Sequence, residues 1–374
     1  MKTGILTFHY AINYGAVLQM YGLKKKLESL GHDVEIINYV PSDFDRDSLR
    51  STLRVSGIKK KTDIKNSLKR IYINLKNQKN LFKSFDGFLD EYFKLSDPAN
   101  DFEWKSVVEN YDYVFVGSDQ VWNPSNRKSD IYFLNTGSDK PAKISYAADS
   151  TNDKVQSETV GNLASALSQF RGISVRNAHS CRFVEKITGK SPEIVPDPVI
   201  LCDFSEFCKP LSGEKYALVY ILGKEIKGGH DAVISLIKEK YVNLKIIQVV
   251  MMKQKEFMIL DSADKKIYSC TPDEWVNLIY NAEFVYTDSF HCILFSMKFH
   301  KNFLSYYADE LRAPRLIALR EQYGLGSKIV SSAEEAKECK SIDFELNYDA
   351  IDSIFEDQKK IGTNFIIKHT EAIK

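Results

Sequence analysis

Short apolar runs alternate along the chain with segments of helical period. Residues 2–8 form an apolar run ending in His9-Tyr10, and 33–40 (DVEIINYV) form a second. Between them Val17, Leu18, Tyr21, Leu23, Leu27 and Leu30 recur at helical spacing, and Gly31-His32 supplies a stop. This β-loop-α-β opening is the mark of a parallel α/β sheet. Further strands are predicted at 113–116, 143–147 and 173–175, with helices near 158–170 and 177–188. The pattern pauses at Pro196-Asp197-Pro198 and restarts with 216–222 (YALVYIL), a helix near 229–240 and a strand at 244–250. A helix near 273–281, a strand at 283–286, a helix near 290–299 and a strand at 302–306 follow. Two successive α/β halves predict two facing Rossmann-like domains, 1–203 and 204–345. Residues 346–374 are predicted as a helix packing back on the N-terminal domain.

One segment breaks the alternation. Residues 57–84 hold eight Lys and one Arg against one Asp, with Ile64, Leu68, Ile71, Leu75 and Phe82 near helical spacing. They predict a basic amphipathic helix, an insertion near 57–92 in the N-terminal domain. A solvated face above a core is the plain reading; peripheral contact with a membrane surface or another anionic partner is the sharper one. Residues 334–357 carry the opposite excess and read as a solvated face. Over the whole chain 51 Lys+Arg balance 50 Asp+Glu, which excludes a protein that wraps nucleic acid but not a local basic patch. A chain of 374 residues that is 44% apolar is too long for one core and too apolar for disorder. No run approaches the roughly 18 apolar residues of a membrane span, and the start lacks a signal-peptide pattern. Six scattered Cys, without a C-x-x-C pair or a Cys/His tract, point to reduced thiols, no metal site and a cytoplasmic location.

Four segments carry candidate chemistry. In His9-Tyr10-Ala11-Ile12-Asn13-Tyr14-Gly15 a strand enters a helix, so backbone N–H groups face an anion-binding position. Gly15 allows close approach there, while Asn13 either caps the helix or meets a ligand. No Gly-rich dinucleotide or Walker loop accompanies it. Gly117-Ser118-Asp119-Gln120-Val121-Trp122-Asn123 follows strand 113–116, where open α/β sheets bind ligands. Its Ser, Asp, Gln and Trp exceed what a turn requires. Arg176 leaves a strand end and is either a bidentate clamp for a carboxylate or phosphate or a helix-end ion pair. Asp197, in a rigid Pro-Asp-Pro crossover, is a secondary candidate. Finally, Thr287-Asp288-Ser289-Phe290-His291 ends a strand and places a His in the first turn of a helix, a setting suited to proton transfer. The remaining His residues (32, 179, 230, 300 and 369) have no comparable setting.

In this order the segments resemble the polysaccharide pyruvyl transferase family, through NYGAVLQ at 13–19, GSDQVWNP at 117–124, ISYAAD at 144–149, SVRN at 174–177, DPV at 197–199 and TDSFH at 287–291. The resemblance implies a GT-B-like arrangement with the active site in the interdomain cleft. It implies transfer of pyruvate from phosphoenolpyruvate to a sugar as a cyclic ketal, with release of phosphate and no cofactor; no ligand set for a metal is visible in the sequence. The acceptor would be a sugar of a bacterial surface-polysaccharide precursor, free or lipid-linked, with the enzyme at the inner face of the membrane in the lipid-linked case. His291 would be the acid/base, Arg176 the anion clamp and Asp119 the contact for sugar hydroxyls. Asn13, Gly15, Gly117, Ser118, Gln120, Asp288 and Ser289 would bind substrate. Three positions depart from the pattern: Ser289 stands where many members carry Arg, Cys292 where Gly is usual, and Asn177 where Glu is common. The competing readings are a glycosyltransferase using a nucleotide sugar and a non-catalytic glycan-binding relative.

Overall fold

Runs such as YVFV at 113–116 and FVYT at 284–287 offer no polar face, so the sheets they join must be covered on both sides. The computed structural model describes residues 1–44, 46, 51–53, 64–123, 129–138, 140–155, 160–253, 257–308 and 313–371. Both runs are buried interior strands in it. The chain forms two compact units, one of residues 1–44, 89–203 and 355–374, the other of 45–88 and 204–354.

The first unit holds strands β1 (Lys2–Leu6), β2 (Asp33–Ile36), β3 (Tyr113–Val116), β4 (Ala142–Ala148), β5 (Phe170–Val175) and β6 (Glu193–Ile194) in the order β2-β1-β3-β4-β5-β6. The second holds β7 (Tyr216–Tyr220), β8 (Lys245–Val249), β9 (Lys265–Ile267), β10 (Phe284–Thr287), β11 (Asn302–Tyr306) and β12 (Ile329–Val330) in the order β12-β11-β10-β7-β8-β9. All pairings between these strands are parallel. Strand order reverses between β1 and β3 in one unit and between β7 and β10 in the other. At such switch points the loops beyond the strand ends splay to opposite faces and leave a crevice for ligands. The candidate segments at 9–15 and 117–120 leave β1 and β3, and the one at 287–291 leaves β10.

Packing fixes these loops. Helix Tyr14–Ser29 lies on the 3-10 turn Pro198–Leu201, and at Gly22 any Cβ would strike the Pro198 carbonyl. Trp122, fully buried, stacks on Phe133 with centroids 5.1 Å apart and planes 8° off parallel. The polar segment 117–123 is thus anchored by a core residue, a different role from the site residue its composition predicted. Helix Tyr348–Thr370 starts in the second unit and ends in the first, where Tyr113 Oη donates to the Thr370 carbonyl at 2.9 Å.

The basic segment forms part of helix Ile64–Tyr92; its first residues, 57–63, lie outside the described ones. Residues 45–88 group with the second unit, whereas the linear pattern placed them in the N-terminal domain. The cause is contacts distant in sequence: Phe207 meets Phe88 edge-on, and Lys253 lies over the Phe82 ring and reaches Gln78. Among the described residues no helix is long and apolar enough to cross a membrane.

Candidate functional site

At the first switch point the loops are tied together by residues from both candidate segments. Asn13 caps helix Tyr14–Ser29, its Oδ1 accepting from the N–H of Gly15 at 3.0 Å and of Ala16 at 3.5 Å. Gly15 therefore gives its N–H to the cap. Gln19, fully buried one turn later, accepts from the Ser118 N–H at 3.1 Å and donates to the Ala16 carbonyl at 2.8 Å and Thr7 Oγ1 at 3.4 Å. Ser118 is equally buried and donates from Oγ to the Ala147 carbonyl at 2.9 Å. Gly117 has φ +109°, and a Cβ there would lie 2.5 Å from the Tyr146 carbonyl oxygen, so no other residue fits. Gln120 is half-buried and Asp119 stands with its side chain 15% exposed. His9 is buried against Asn38 (3.1 Å); burial lowers its pKa to about 4, which keeps it neutral at pH 7.

Arg176 is the centre of this cluster. Reciprocal serine bonds across β4 and β5 set it there: Ser145 Oγ donates to the Ser174 carbonyl at 3.0 Å, and Ser174 Oγ to the Ser145 carbonyl at 2.7 Å. They bridge a break in register between Ser145 and Ala148. The Arg176 guanidinium, 4% exposed, donates to Asp149 at 2.5 Å and Asp197 at 2.9 Å, with Asp119 at 3.7 Å. Burial alone would lower its pKa, but the carboxylates of Asp149, Asp197 and Asp119 more than offset this, so the group stays charged. Each acid is itself held. Asp149 accepts from the Thr151 N–H at 2.7 Å and Ser180 Oγ at 3.3 Å, and Asp197 from the Val199 N–H at 3.0 Å. Asn177, where the resemblance led to Glu, caps the next helix by accepting from the Ser180 N–H at 2.9 Å. An open anion clamp was expected of Arg176; carboxylates of its own unit instead occupy both of its terminal nitrogens. Together these four groups carry two formal negative charges.

At the second switch point Thr287 joins the two diverging strands. Its Oγ1 donates to the Tyr220 carbonyl of β7 at 2.6 Å and accepts from the Ser289 N–H at 3.0 Å. Asp288 accepts from the Leu222 N–H at 2.6 Å, which pins the loop after β7. Ser289 caps helix Phe290–Lys298, accepting from the Cys292 N–H at 3.4 Å. Asp288 and Ser289 thus shape the loop that presents His291. That residue stands in the first helical turn, 7% exposed, with its ring perpendicular to Phe290 at 5.3 Å. Cys292 is fully buried, and burial pushes its thiol up to about 12, so it is inert. The Arg315 guanidinium lies over the Phe290 ring, 5.1 Å from the centroid, and brings a cation beside the motif where Ser289 offers none.

Three contributors to these loops escape a reading of the sequence alone. Asp149 is the acid that ends the buried run of β4, a signal available in the ISYAAD segment. Gln19 closes the NYGAVLQ segment, and a polar residue amid buried helix positions is its signal. Arg315 carries no such mark.

Comparison with known proteins adds the fold and the family. The chain resembles UDP-GlcNAc 2-epimerase from Methanocaldococcus jannaschii at 14% identity, with a TM-score of 0.51 over 93% of each chain. It resembles UDP-N-acetylglucosamine 2-epimerase from Rickettsia bellii at 12% identity, with a TM-score of 0.51 over 98% of this chain and 95% of that one. At such identities the likeness concerns the fold, which is of the GT-B-like class. No curated protein matches the chain. The family profile described as polysaccharide pyruvyl transferase matches residues 13–310.

Proposed function

The chain belongs to the polysaccharide pyruvyl transferase family, and from that membership we propose that it moves pyruvate from phosphoenolpyruvate onto a sugar of a bacterial surface-polysaccharide precursor. His291 protonates the methylene carbon of the enol, which leaves oxocarbenium character at C2. A sugar hydroxyl adds to C2 as Asp119 takes its proton; the C2–O bond to phosphate breaks, and a second hydroxyl adds with loss of its proton to close the ketal. One proton enters the methyl group, two leave the hydroxyls, and phosphate departs.

The observation that carries this assignment is the Arg176 cluster. Asp119 stands 3.7 Å from the Arg176 guanidinium, on the partly exposed edge of a group whose other two carboxylates are buried, where a sugar hydroxyl can reach it. Arg176 then acts through Asp119 as a positioning residue. The anionic donor is better served by the second unit, where Arg315 lies over the ring of Phe290 and the positive end of helix Phe290–Lys298 carries His291. The first intrahelical bond there runs from the Ile293 N–H to the Ser289 carbonyl, so the N–H groups of Phe290 and His291 precede the ladder.

The test is release of phosphate from phosphoenolpyruvate by the purified protein, with hexose and N-acetylhexosamine acceptors supplied in turn. Release that depends on acceptor, with the acceptor gaining the mass of pyruvate less water, supports the reading. His291→Ala is expected to abolish release while circular dichroism and melting stay unchanged; retained turnover would remove His291 from the mechanism. Turnover of a nucleotide sugar in place of phosphoenolpyruvate would overturn the assignment.

A further inference from the structure

Helix Ile64–Tyr92 buries one side and exposes an apolar stripe on the other. Ser67, Asn74, Leu81, Phe85 and Phe88 are buried, whereas Leu68, Tyr72 and Leu75 are 58%, 63% and 48% exposed. At about 100° per residue these three lie within roughly 60° of one another, on the face turned away from the buried one. Exposed large apolar residues that align along a helix are a surface, unlike the same residues scattered singly.

Charge tells what the surface meets. Lys76, Lys79 and Lys83 are exposed on the same side, and Lys76 Nζ sits 5.9 Å from the Tyr72 ring centroid. Lys69, also exposed, pairs with Asp261 at 3.1 Å. Acids appear only toward the helix end, where Asp86 is held by Arg46 at 2.7 Å and Asp90 and Glu91 are exposed. The face therefore runs from Leu68 to Lys83, apolar over its first two turns and cationic over the next two.

We propose that this face docks on an anionic lipid bilayer. Leu68, Tyr72 and Leu75 would enter the headgroup–acyl boundary, where an aromatic ring with a hydroxyl sits well. The Lys stems would lie along the apolar surface with their ammonium groups at the lipid phosphates. A second copy of the helix would bring like charges together, and a nucleic acid would have no use for a row of Leu and Tyr. This inference does not depend on the reaction proposed above, since it rests on the helix alone.

The test is flotation of the full chain with vesicles of phosphatidylcholine alone or with phosphatidylglycerol added. The expected result is binding to the anionic vesicles only, suppressed by raised salt, with a blue shift of Trp fluorescence in a Tyr72→Trp variant. Leu68→Ser/Tyr72→Ser/Leu75→Ser should lower the bound fraction at least tenfold, and Lys76→Glu/Lys79→Glu/Lys83→Glu should abolish binding; these residues are exposed, so melting should not change. Absence of binding to anionic vesicles, equal binding to neutral ones, or unchanged binding of both variants would each overturn the proposal. Light scattering that shows a dimer lost in the Ser variant, without vesicle binding, would assign the face to a second copy instead.

Discussion

Replacing Arg176 by Met keeps most of the side-chain volume and removes the charge that three acids share. Asp149 and Asp197 expose 3% and 2% of their side chains, so water cannot take over from the guanidinium. Breaking a buried ion pair by removing one partner costs about 3–5 kcal/mol, because the other charge stays buried. Asp119, at 15% exposure and 3.7 Å, adds little to that figure. The expected loss for the first unit is therefore about 3–5 kcal/mol at pH 7.5.

Its pH dependence follows from linkage. In the variant, burial and mutual repulsion raise the folded pKa of Asp149 and Asp197 above the unfolded value of about 4. The folded state then binds more protons than the unfolded one, and stability falls as pH rises through that interval. In the native protein Arg176 keeps the acids ionised, so this penalty is absent. The deficit of the variant should accordingly be fully developed at pH 8 and shrink toward pH 5. Urea unfolding followed by Trp fluorescence measures it; in a Trp275→Phe background the signal comes from Trp104 and Trp122, both in the first unit. A loss below about 1 kcal/mol, the scale of an exposed ion pair, or a loss that is flat between pH 5 and 8, would refute the account. A double-mutant cycle with Asp149→Asn adds an independent check, since groups in direct contact couple by about 0.5–3 kcal/mol.

Arg315→Ala should raise the KM for phosphoenolpyruvate by roughly ten- to a hundredfold, the worth of about 1.5–3 kcal/mol for a hydrogen bond to a charged group, with kcat much less affected. Steady-state kinetics check this, and an unchanged KM would remove Arg315 from the donor site. Gln19→Leu leaves the buried Ser118 N–H without its acceptor and should cost about 1–3 kcal/mol in urea unfolding; a neutral outcome would mean that the loop rearranges without loss.

How far the sequence could be read depended on whether the cause was local. The long interior strands were legible because an apolar run is its own signal, whereas the reversals of strand order that set both switch points show only once the strands are paired. The edge strands β6, β9 and β12 run only two or three residues, too short for any period to show. Trp122 looked like part of a polar site because its stacking partner, Phe133, is a distant fact about packing. Residues 45–88 looked like part of the N-terminal domain because Lys253 and Phe207, which hold them, come far later in the chain. Arg176 was recognisable as a residue of consequence, but an Arg that clamps a ligand and one that clamps three acids read alike until Asp149 and Asp197 are placed.

That placement bears on what the Arg176 cluster can bind. Phosphoenolpyruvate carries a carboxylate and a phosphate, and a group of four side chains with two formal negative charges repels such a donor however well Arg176 is oriented. The same group suits a polyol, whose hydroxyls donate to carboxylates and lose protons to them. In the second unit a guanidinium lies over Phe290, the first residue of the helix that carries His291. Ser289 brings no charge on this side, and the cation next to the motif is Arg315 over the Phe290 ring. Under the proposed reaction, the Arg176 cluster is the better match for the acceptor and the loop after β10 for the donor. Variants of Asp119 and of Arg315 should then affect the KM of different substrates.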